Sequence, residues 1–142
     1  TNAHMVELRR TKAGPFNENN LVKLTDLKDA YYYYKNDNNP EYIRKILITP
    51  EHAVSHLKKI YVMDSAVNSL CHGAFLKIPG IVSFEKSINK DDFVAVMTMK
   101  SELILVGKAL MSAEEILRSD KGVAVKTEQV FMDADLYPKL EN

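Results

Sequence analysis

The sequence predicts an α+β fold: a small, closed or partly closed β-barrel with short helices, preceded by one strand and several helices. Three observations lead to this prediction. From Ile60 onward, short apolar runs separated by turn residues are typical of strands. Only two helix signatures interrupt these runs, one at Asp64 and one at Ser112. Before Ile60, Thr and Pro signatures instead favour helices.

The first strand and the first helix are predicted from a loose alternation and a capping residue. Residues 4–12 alternate loosely between apolar and polar side chains, which predicts a strand that Gly14-Pro15 ends. Thr25 is predicted to cap a helix that contains four consecutive tyrosines at residues 31–34. Because successive helical side chains point about 100° apart, we expect one or two of these rings to pack in a core.

Two further helices are predicted from proline positions, since proline tolerates the first helical turn. One begins at Pro40, and the other begins at Pro50 with Thr49 as its cap. His52 and His56 fall in the second of these helices, where their spacing could place two imidazoles on one face. A metal site would need further ligands from another element, so we expect none.

The barrel strands are predicted as short apolar runs between turns. Residues 89–92 are interpreted as a turn, and Lys100-Ser101 is predicted to close a hairpin. Ser112 and Glu115 have the spacing of a capping box, which predicts the second barrel helix. The predicted strands cover residues 60–63, 75–78, 81–84, 93–99, 102–109 and 123–132.

The most informative run is the helix, glycine and strand of residues 64–80. Asp64 is predicted to cap the helix, and Gly73 to end it, because glycine adopts a left-handed conformation without a Cβ clash. A short strand and the Pro79-Gly80 turn follow. Exposed main-chain groups near this helix end suit the approach of a base or a phosphate. The same pattern also occurs as ordinary packing, so a purely structural role stays open.

Composition and charge limit the possible functions. The chain has 142 residues, of which 46% are hydrophobic, as is usual for a globular protein. It carries 19 basic and 19 acidic residues, so any nucleic-acid binding needs a small local basic patch. No apolar stretch is long enough to span a bilayer. The single cysteine, Cys71, excludes an internal disulfide and fits a reducing compartment such as the cytoplasm.

Several motifs together resemble one family. The run from His4 to Phe16, which contains Leu8-Arg9-Arg10, resembles the last catalytic-domain strand of the dyskerin family, the pseudouridine synthases of H/ACA ribonucleoproteins in archaea and eukaryotes. Residues 64–81 resemble the first helix and second strand of a PUA domain, an RNA-binding module of pseudouridine synthases and archaeosine transglycosylases. Residues 26–30 and 42–45 resemble the helical segment between the catalytic and PUA domains. Residues 107–111, 121–125 and 137–140 resemble the close of the archaeal members, and all these segments follow the family's order.

This resemblance implies two parts. Residues 1–58 would be the C-terminal remnant of a pseudouridine synthase catalytic domain with its linking helices, and residues 59–142 a PUA-type pseudo-β-barrel. The family's catalytic aspartate lies upstream of the Leu-Arg-Arg strand, after a Gly-His-x-Gly-type motif that does not occur here. We therefore expect a C-terminal fragment of a longer enzyme, with no catalytic residue, no cofactor, no metal, and no activity by itself.

The resemblance also implies partners and a site. The expected partners are H/ACA guide RNA, substrate RNA and other proteins of the H/ACA ribonucleoprotein, and no membrane. Leu8 and Arg10 would border the catalytic pocket. The PUA surface would grip the ACA end and adjoining stem of the guide RNA, so that the target uridine of rRNA or tRNA reaches the catalytic domain. The residues carried over to that surface are Asn68, His72, Gly73, Ala74, Phe75, Leu76, Lys77, Pro79, Gly80 and Lys139.

Two alternatives stay open at the level of sequence. The chain could be a stand-alone PUA-containing protein-interaction module, which its neutral net charge and its run of tyrosines favour. It could also be a generic RNA-binding module. Salt separates RNA binding from protein docking, because counterion release makes RNA affinity fall steeply with ionic strength.

Overall fold

A computed structural model of the chain describes residues 3–137, which divide into two compact units between His56 and Leu57. The first unit holds a hairpin, β1 (Lys12–Ala13) with β2 (Phe16–Asn17), and the helices α1 (Leu24–Asn36), α2 (Glu41–Ile46) and α3 (Pro50–Ala53). Within residues 3–137 we find no helix with the length and apolar character that crossing a membrane requires.

The predicted strand of residues 4–12 does not form. The hairpin begins only at Lys12 and turns at Gly14, whose φ of +57° suits a glycine. A strand needs a neighbour for its N–H and C=O groups, and in the first unit the ladder joins only β1 and β2. The prediction of Thr25 as N-cap is also wrong, since it lies inside α1 and Lys23 precedes the helix.

The four tyrosines do not enter a core. Each side chain at residues 31–34 is at least 43% exposed, and Ala30 is the buried residue of α1. Tyr33 packs its ring 5.2 Å from that of Tyr42 on α2, and Tyr32 meets Tyr33 edge-on at 5.9 Å. The prediction of one or two core tyrosines is therefore wrong, because α1 buries a narrow face around one alanine.

His52 and His56 do not form a pair on one helix face. Proline opens α3 with Thr49 as its cap, as predicted, but the helix ends at Ala53 and His56 lies beyond it. His52 instead packs its ring 5.5 Å from that of Phe16. Across residues 3–137, no cluster of three His, Cys, Asp or Glu side chains could hold a metal ion.

The second unit is a six-stranded sheet curled around an apolar core, with two helices. The strands are β3 (Lys58–Val62), β4 (Leu76–Lys77), β5 (Ile81–Phe84), β6 (Phe93–Thr98), β7 (Leu103–Ala109) and β8 (Val123–Val130). Their order is β4-β8-β7-β6-β3-β5, in which β3 and β6 are parallel and the other neighbours antiparallel. The helices are α4 (Asp64–Cys71) and α5 (Ala113–Arg118). The predicted α+β architecture is confirmed.

One segment closes this sheet into a near-barrel. β4 lies at one edge and β5 at the other, and the 3-10 turn Ile78–Gly80 joins them directly. The Ile78 N–H donates to the Gly122 carbonyl at 3.0 Å, next to β8. The Gly80 carbonyl accepts from the Met63 N–H at 3.0 Å, just after β3. The same turn is thus fixed to both edges, and the core lies inside the curled sheet.

The two barrel helices begin differently. Ser112 forms the predicted capping box with Glu115: its hydroxyl accepts from the Glu115 N–H at 3.3 Å, and the Glu115 carboxylate accepts from the Ser112 N–H at 2.7 Å. The bond from the Ser112 N–H, followed by the interaction of the Ser112 hydroxyl with the carboxylate, lowers the pKa of Glu115. Asp64 is not the predicted N-cap but the first residue of α4, after Met63. Its charge there still suits the helix dipole.

Strands β7 and β8 approach most closely at Gly107. A Cβ at this position would lie 2.5 Å from the Lys126 carbonyl oxygen and 2.5 Å from Val125 Cγ1. The register of the two strands shifts here, between Val106 and Gly107. A glycine is needed for space, since the neighbouring backbone cannot move without breaking the ladder.

We expect Gly107→Ala to lower the free energy of unfolding by about 1–3 kcal/mol or more, because the methyl group overlaps backbone atoms. Urea unfolding followed by circular dichroism measures the change. Ser83→Ala on the exposed face of β5 is the control and should change stability by less than about 0.5 kcal/mol. A Gly107→Ala protein as stable as the control would contradict the conclusion that this position has no space for a side chain.

A lysine fixes the loop between β5 and β6. Lys58 Nζ donates to the Ser87 carbonyl at 2.5 Å and to Asp92 Oδ2 at 2.6 Å. The same carboxylate oxygen accepts from the Asn89 N–H at 2.8 Å. The Lys58 bond, followed by the bond from Asn89, lowers the pKa of Asp92 below its ordinary value of 3.8. The loop in turn carries the buried Ile88 into the core.

We expect the contribution of Asp92 to stability to depend on pH. Its pKa is lower in the folded chain than in the unfolded chain, so its contribution is complete above pH 3.8 and is lost as pH falls through the folded value. Asp92→Asn should therefore be less stable than the wild type at pH 7, and the difference should shrink at about pH 3. Urea unfolding at both pH values measures it, with the exposed Asp120→Asn as the control. A difference that does not change with pH would refute the role of this carboxylate.

Candidate nucleic-acid interface

Helix α4 ends in a Schellman motif at the predicted glycine. Gly73 has a φ of +86°, its N–H donates to the Leu70 carbonyl at 2.9 Å, and the Ala74 N–H donates to the Ser69 carbonyl at 3.1 Å. A Cβ on Gly73 would meet nothing within 4 Å, so conformation and not space favours glycine here. The prediction that α4 stops at Gly73 is confirmed.

A groove of about 450 Å³ lies between α4 and the chain that leaves it. One wall consists of residues on or just before α4: Met63, Ser65, Ala66, Ser69 and Leu70. The other wall consists of residues from the glycine exit to the end of the 3-10 turn: Ala74, Phe75, Leu76, Lys77, Pro79 and Gly80. The second wall contains six of the residues that the resemblance assigns to RNA binding.

The α4 wall was not predicted from the sequence. Ser65 and Ser69 are four residues apart, so they lie on the same helix face one turn from each other. Ala66 allows the close approach of the turn, since a Cβ on Gly80 would come within 3.2 Å of the Ala66 Cβ. The helical spacing was available in the sequence, but the side that α4 turns toward the groove depends on the sheet beneath it.

Among the residues that the structure describes, the groove is mostly apolar and has one cation. Phe75 is 48% exposed, whereas Leu76 is buried beneath it. Lys77 is exposed and forms no ion pair among residues 3–137. Three other lysines of the second unit have a carboxylate partner: Lys58 pairs with Asp92, Lys108 with Asp91 and Lys126 with Glu128.

The main chain at the helix exit is largely engaged. The N–H groups of Gly73 and Ala74 are used within α4, and the Ala74 carbonyl accepts from the Thr127 hydroxyl on β8 at 2.7 Å. These bonds fix the direction in which the chain leaves the helix. These three main-chain groups are therefore already hydrogen-bonded within the domain, whereas the Phe75 and Lys77 side chains along the groove are exposed.

Asn68 and His72 are not among the groove residues. Asn68 Nδ2 donates to the Tyr137 carbonyl at 3.2 Å and to Asp135 Oδ1 at 3.3 Å. His72 Nδ1 lies 2.8 Å from the Asn68 carbonyl oxygen, which can only accept, so Nδ1 carries the hydrogen. His72 is exposed.

The remaining predicted residues lie elsewhere. Lys139 is outside the described residues. Leu8 is 69% exposed in the first unit, and Arg10 lines a cavity of about 160 Å³ with the β1–β2 hairpin. Cys71 is half-buried on α4, and burial, with the charges of Asp133 and Asp135, raises the pKa of its thiol. A raised pKa makes a nucleophilic role unfavourable.

Family models match both units. Residues 58–131 match the PUA domain, which is more than half of the chain. The chain belongs to the PUA-domain family. Residues 1–55 match the tRNA pseudouridylate synthase B C-terminal domain. The α4 groove and the Gly73 exit thus belong to the PUA domain, and the resemblance recognised in the sequence is confirmed.

Known archaeal proteins are similar along almost the whole chain. A protein of Nanoarchaeum equitans named "Probable tRNA pseudouridine synthase B" is 51% identical over 97% of this chain, which spans 40% of that relative. The crystal structure of the archaeal box H/ACA sRNP Nop10-Cbf5 complex matches with 52% identity and a TM-score of 0.89, over 97% of this chain and 45% of the matched one. A structure of an H/ACA RNP bound to a substrate RNA containing 2'-deoxyuridine matches with 50% identity and a TM-score of 0.86, over 97% and 44%.

We expect Thr127→Val to loosen the helix exit of the PUA domain, because it removes the donor to the Ala74 carbonyl while keeping the side-chain size. The loss should be about 1 kcal/mol in unfolding free energy, with faster hydrogen exchange at the Gly73 and Ala74 amides. Thr127→Ser keeps the hydroxyl and should retain slow exchange. Equal exchange in the valine and serine variants would show that the bond does not fix the exit.

Proposed function

We propose that this chain is the RNA-binding part of a longer RNA-guided pseudouridine synthase, and that its PUA domain docks the ACA end and adjoining stem of H/ACA guide RNA. The observation that carries the proposal is the groove beside the Gly73 exit, with exposed Phe75 and unpaired Lys77 on one wall. Similarity to two H/ACA ribonucleoprotein structures over nearly the whole chain supports it.

The composition of the groove suits unpaired RNA. Proteins read single-stranded RNA by stacking splayed bases on aromatic rings and by hydrogen bonds to base edges. Phe75 offers a ring face, and the hydroxyls of Ser65 and Ser69 on the opposite wall can donate or accept at a base edge. A groove of about 450 Å³ lies within the usual range of ligand sites, about 300–1,000 Å³. Lys77 supplies a charge for a neighbouring phosphate.

The proposed role in catalysis is positional. By holding the end of the guide RNA, the PUA domain fixes where the paired target uridine meets a catalytic domain, which raises the effective concentration of the target. The chain spans only 40% of the relative from Nanoarchaeum equitans, so isomerisation of uridine is a property proposed for the longer protein. We propose a cytoplasmic location for it, with other H/ACA ribonucleoprotein proteins as partners.

The two compact units are compatible with a division of the chain into the end of a catalytic domain and a PUA domain. We propose that residues 1–58 are the end of the catalytic domain with its linking helices, and that residues 59–142 are the PUA domain. In the longer protein, Leu8 and Arg10 would border the catalytic pocket. Their exposure in this chain is compatible with a role at a surface between domains.

We expect the chain to bind a hairpin RNA ending in ACA more tightly than the same hairpin ending in UGU. Lys77→Glu should weaken binding to ACA about tenfold, which corresponds to about 1.4 kcal/mol, because it places a negative charge beside a phosphate. Phe75→Ala should weaken binding by a similar factor through lost stacking. Fluorescence anisotropy at two salt concentrations measures each affinity.

Lys86→Glu is the matched control, because it makes the same charge reversal in the exposed turn after β5, outside the groove. Its affinity should stay within about twofold of the wild type. Selective, salt-sensitive binding that Lys77→Glu reduces and Lys86→Glu does not would support the proposal. Absence of binding to either hairpin would refute an autonomous RNA reader and favour a protein-docking surface.

A further inference from the structure

The segment that follows β8 returns to helix α4, where it accepts both hydrogen bonds that the side-chain amide nitrogen of Asn68 can donate. Asn68 Nδ2 donates to the Tyr137 carbonyl at 3.2 Å and to Asp135 Oδ1 at 3.3 Å. A side-chain amide nitrogen carries two hydrogens, so both are committed to this segment. The Asn68 amide therefore has no hydrogen left for an RNA while the segment lies in this position.

The side chain of Tyr137, whose carbonyl accepts from Asn68, is fixed to the turn between β6 and β7. The Tyr137 hydroxyl donates to Glu102 Oε2 at 2.5 Å, and Lys100 Nζ lies 5.4 Å from the centre of the Tyr137 ring. The same Glu102 oxygen accepts from the Thr98 hydroxyl at 3.0 Å, and Thr98 is completely buried. Tyr137 also packs against the core. A rigid part of the barrel thus holds the tyrosine.

We propose that residues 133–137 form a clasp that ties α4 to the β6–β7 turn, and that Asn68 and Tyr137 are positioning residues for the groove and not RNA contacts. The consequence for RNA binding rests on the function proposed above. Neither residue lines the groove, so the clasp holds the helix from outside. The groove wall on α4 stays in one position, which lowers the ordering cost of binding.

A competing role for the segment would have the opposite effect on affinity. Asp133 and Asp135 lie close enough to Cys71 for their charges to raise the pKa of its thiol. If the segment occupied part of the RNA site, removing its contacts would strengthen binding. The groove is lined without any residue of the segment, which favours the positioning role.

A double-mutant cycle of the full chain separates positioning from direct contact. Asn68→Ala removes one end of the clasp, and Tyr137→Phe removes only the hydroxyl at the other end. If both substitutions act through the clasp, each single variant binds the ACA hairpin several-fold more weakly than the wild type. The double variant then has the same affinity as the single variant with the lower affinity. Additive losses would instead identify Asn68 as an RNA contact, and tighter binding in either variant would identify the segment as a competitor. Both of these outcomes overturn the proposal.

The single cysteine gives a second measurement that needs no RNA. Cys71 lies on α4, three residues from Asn68, and is half-buried next to the segment. Releasing the clasp should make its thiol react several-fold faster with a soluble disulfide reagent, since both burial and the neighbouring carboxylates suppress the thiolate. Tyr61→Phe removes a hydroxyl from β3 and is the matched control, with an unchanged rate expected.

The two measurements distinguish failure of the clasp from failure of the proposed function. Faster thiol reaction in Asn68→Ala and Tyr137→Phe, in a wild type that binds neither hairpin, would support the clasp and refute the RNA-binding function. Unchanged thiol reaction in both variants would refute the clasp, whatever the RNA affinities are. Circular dichroism of each variant establishes that the barrel is folded at the temperature of the measurement.

Discussion

The second unit depends on one constraint, that the two edges of its sheet are joined by a single short turn. An open sheet presents a row of unpaired N–H and C=O groups at each edge. Here β4 pairs with β8 at one edge and β5 pairs with β3 at the other, while Ile78–Gly80 connects them and bonds to the chain at both ends. The curled sheet can then surround the core, and helix α4 covers part of it through Val67 and Leu70.

The groove follows from this closure. The turn must pass close to α4, and the approach is possible because Gly80 and Ala66 have little or no side chain between them. The Schellman exit at Gly73 turns the chain directly into β4, so the helix and the returning strand become the two walls. Apolar residues that cannot reach the core, such as Phe75, are left facing the groove. An exposed aromatic ring is thus a consequence of the way the barrel closes, and it is available for stacking.

Structural features that depend on neighbouring residues were predicted well from the sequence, and features that depend on distant residues were predicted poorly. Strand β5 and the capping box of α5 were predicted as observed, because each is encoded by neighbouring residues. The strand expected at residues 4–12 does not form, because a strand depends on a partner strand that the local sequence does not specify. Six residues that the resemblance assigns to RNA binding line one wall of the groove, whereas no residue of the α4 wall was assigned from the sequence. Tyr137 meets Asn68 from 69 positions along the chain, which no local pattern encodes.

The structure shows how the charges of a chain with neutral net charge are distributed. A chain with 19 basic and 19 acidic residues has no overall attraction for phosphates, so any attraction must come from how the charges are distributed. Lys58, Lys108 and Lys126 each have a carboxylate within hydrogen-bonding distance, and such exposed pairs present little net charge to solvent. Lys77 has no such partner among residues 3–137 and stands at the groove. Lys59, Lys86 and Lys121 also form no ion pair among residues 3–137, but none of them lines the groove, where Lys77 is the unpaired cation. For the proposed RNA site, one unpaired charge at the groove suits contact with one phosphate next to a stacked base more than non-specific attraction to any RNA.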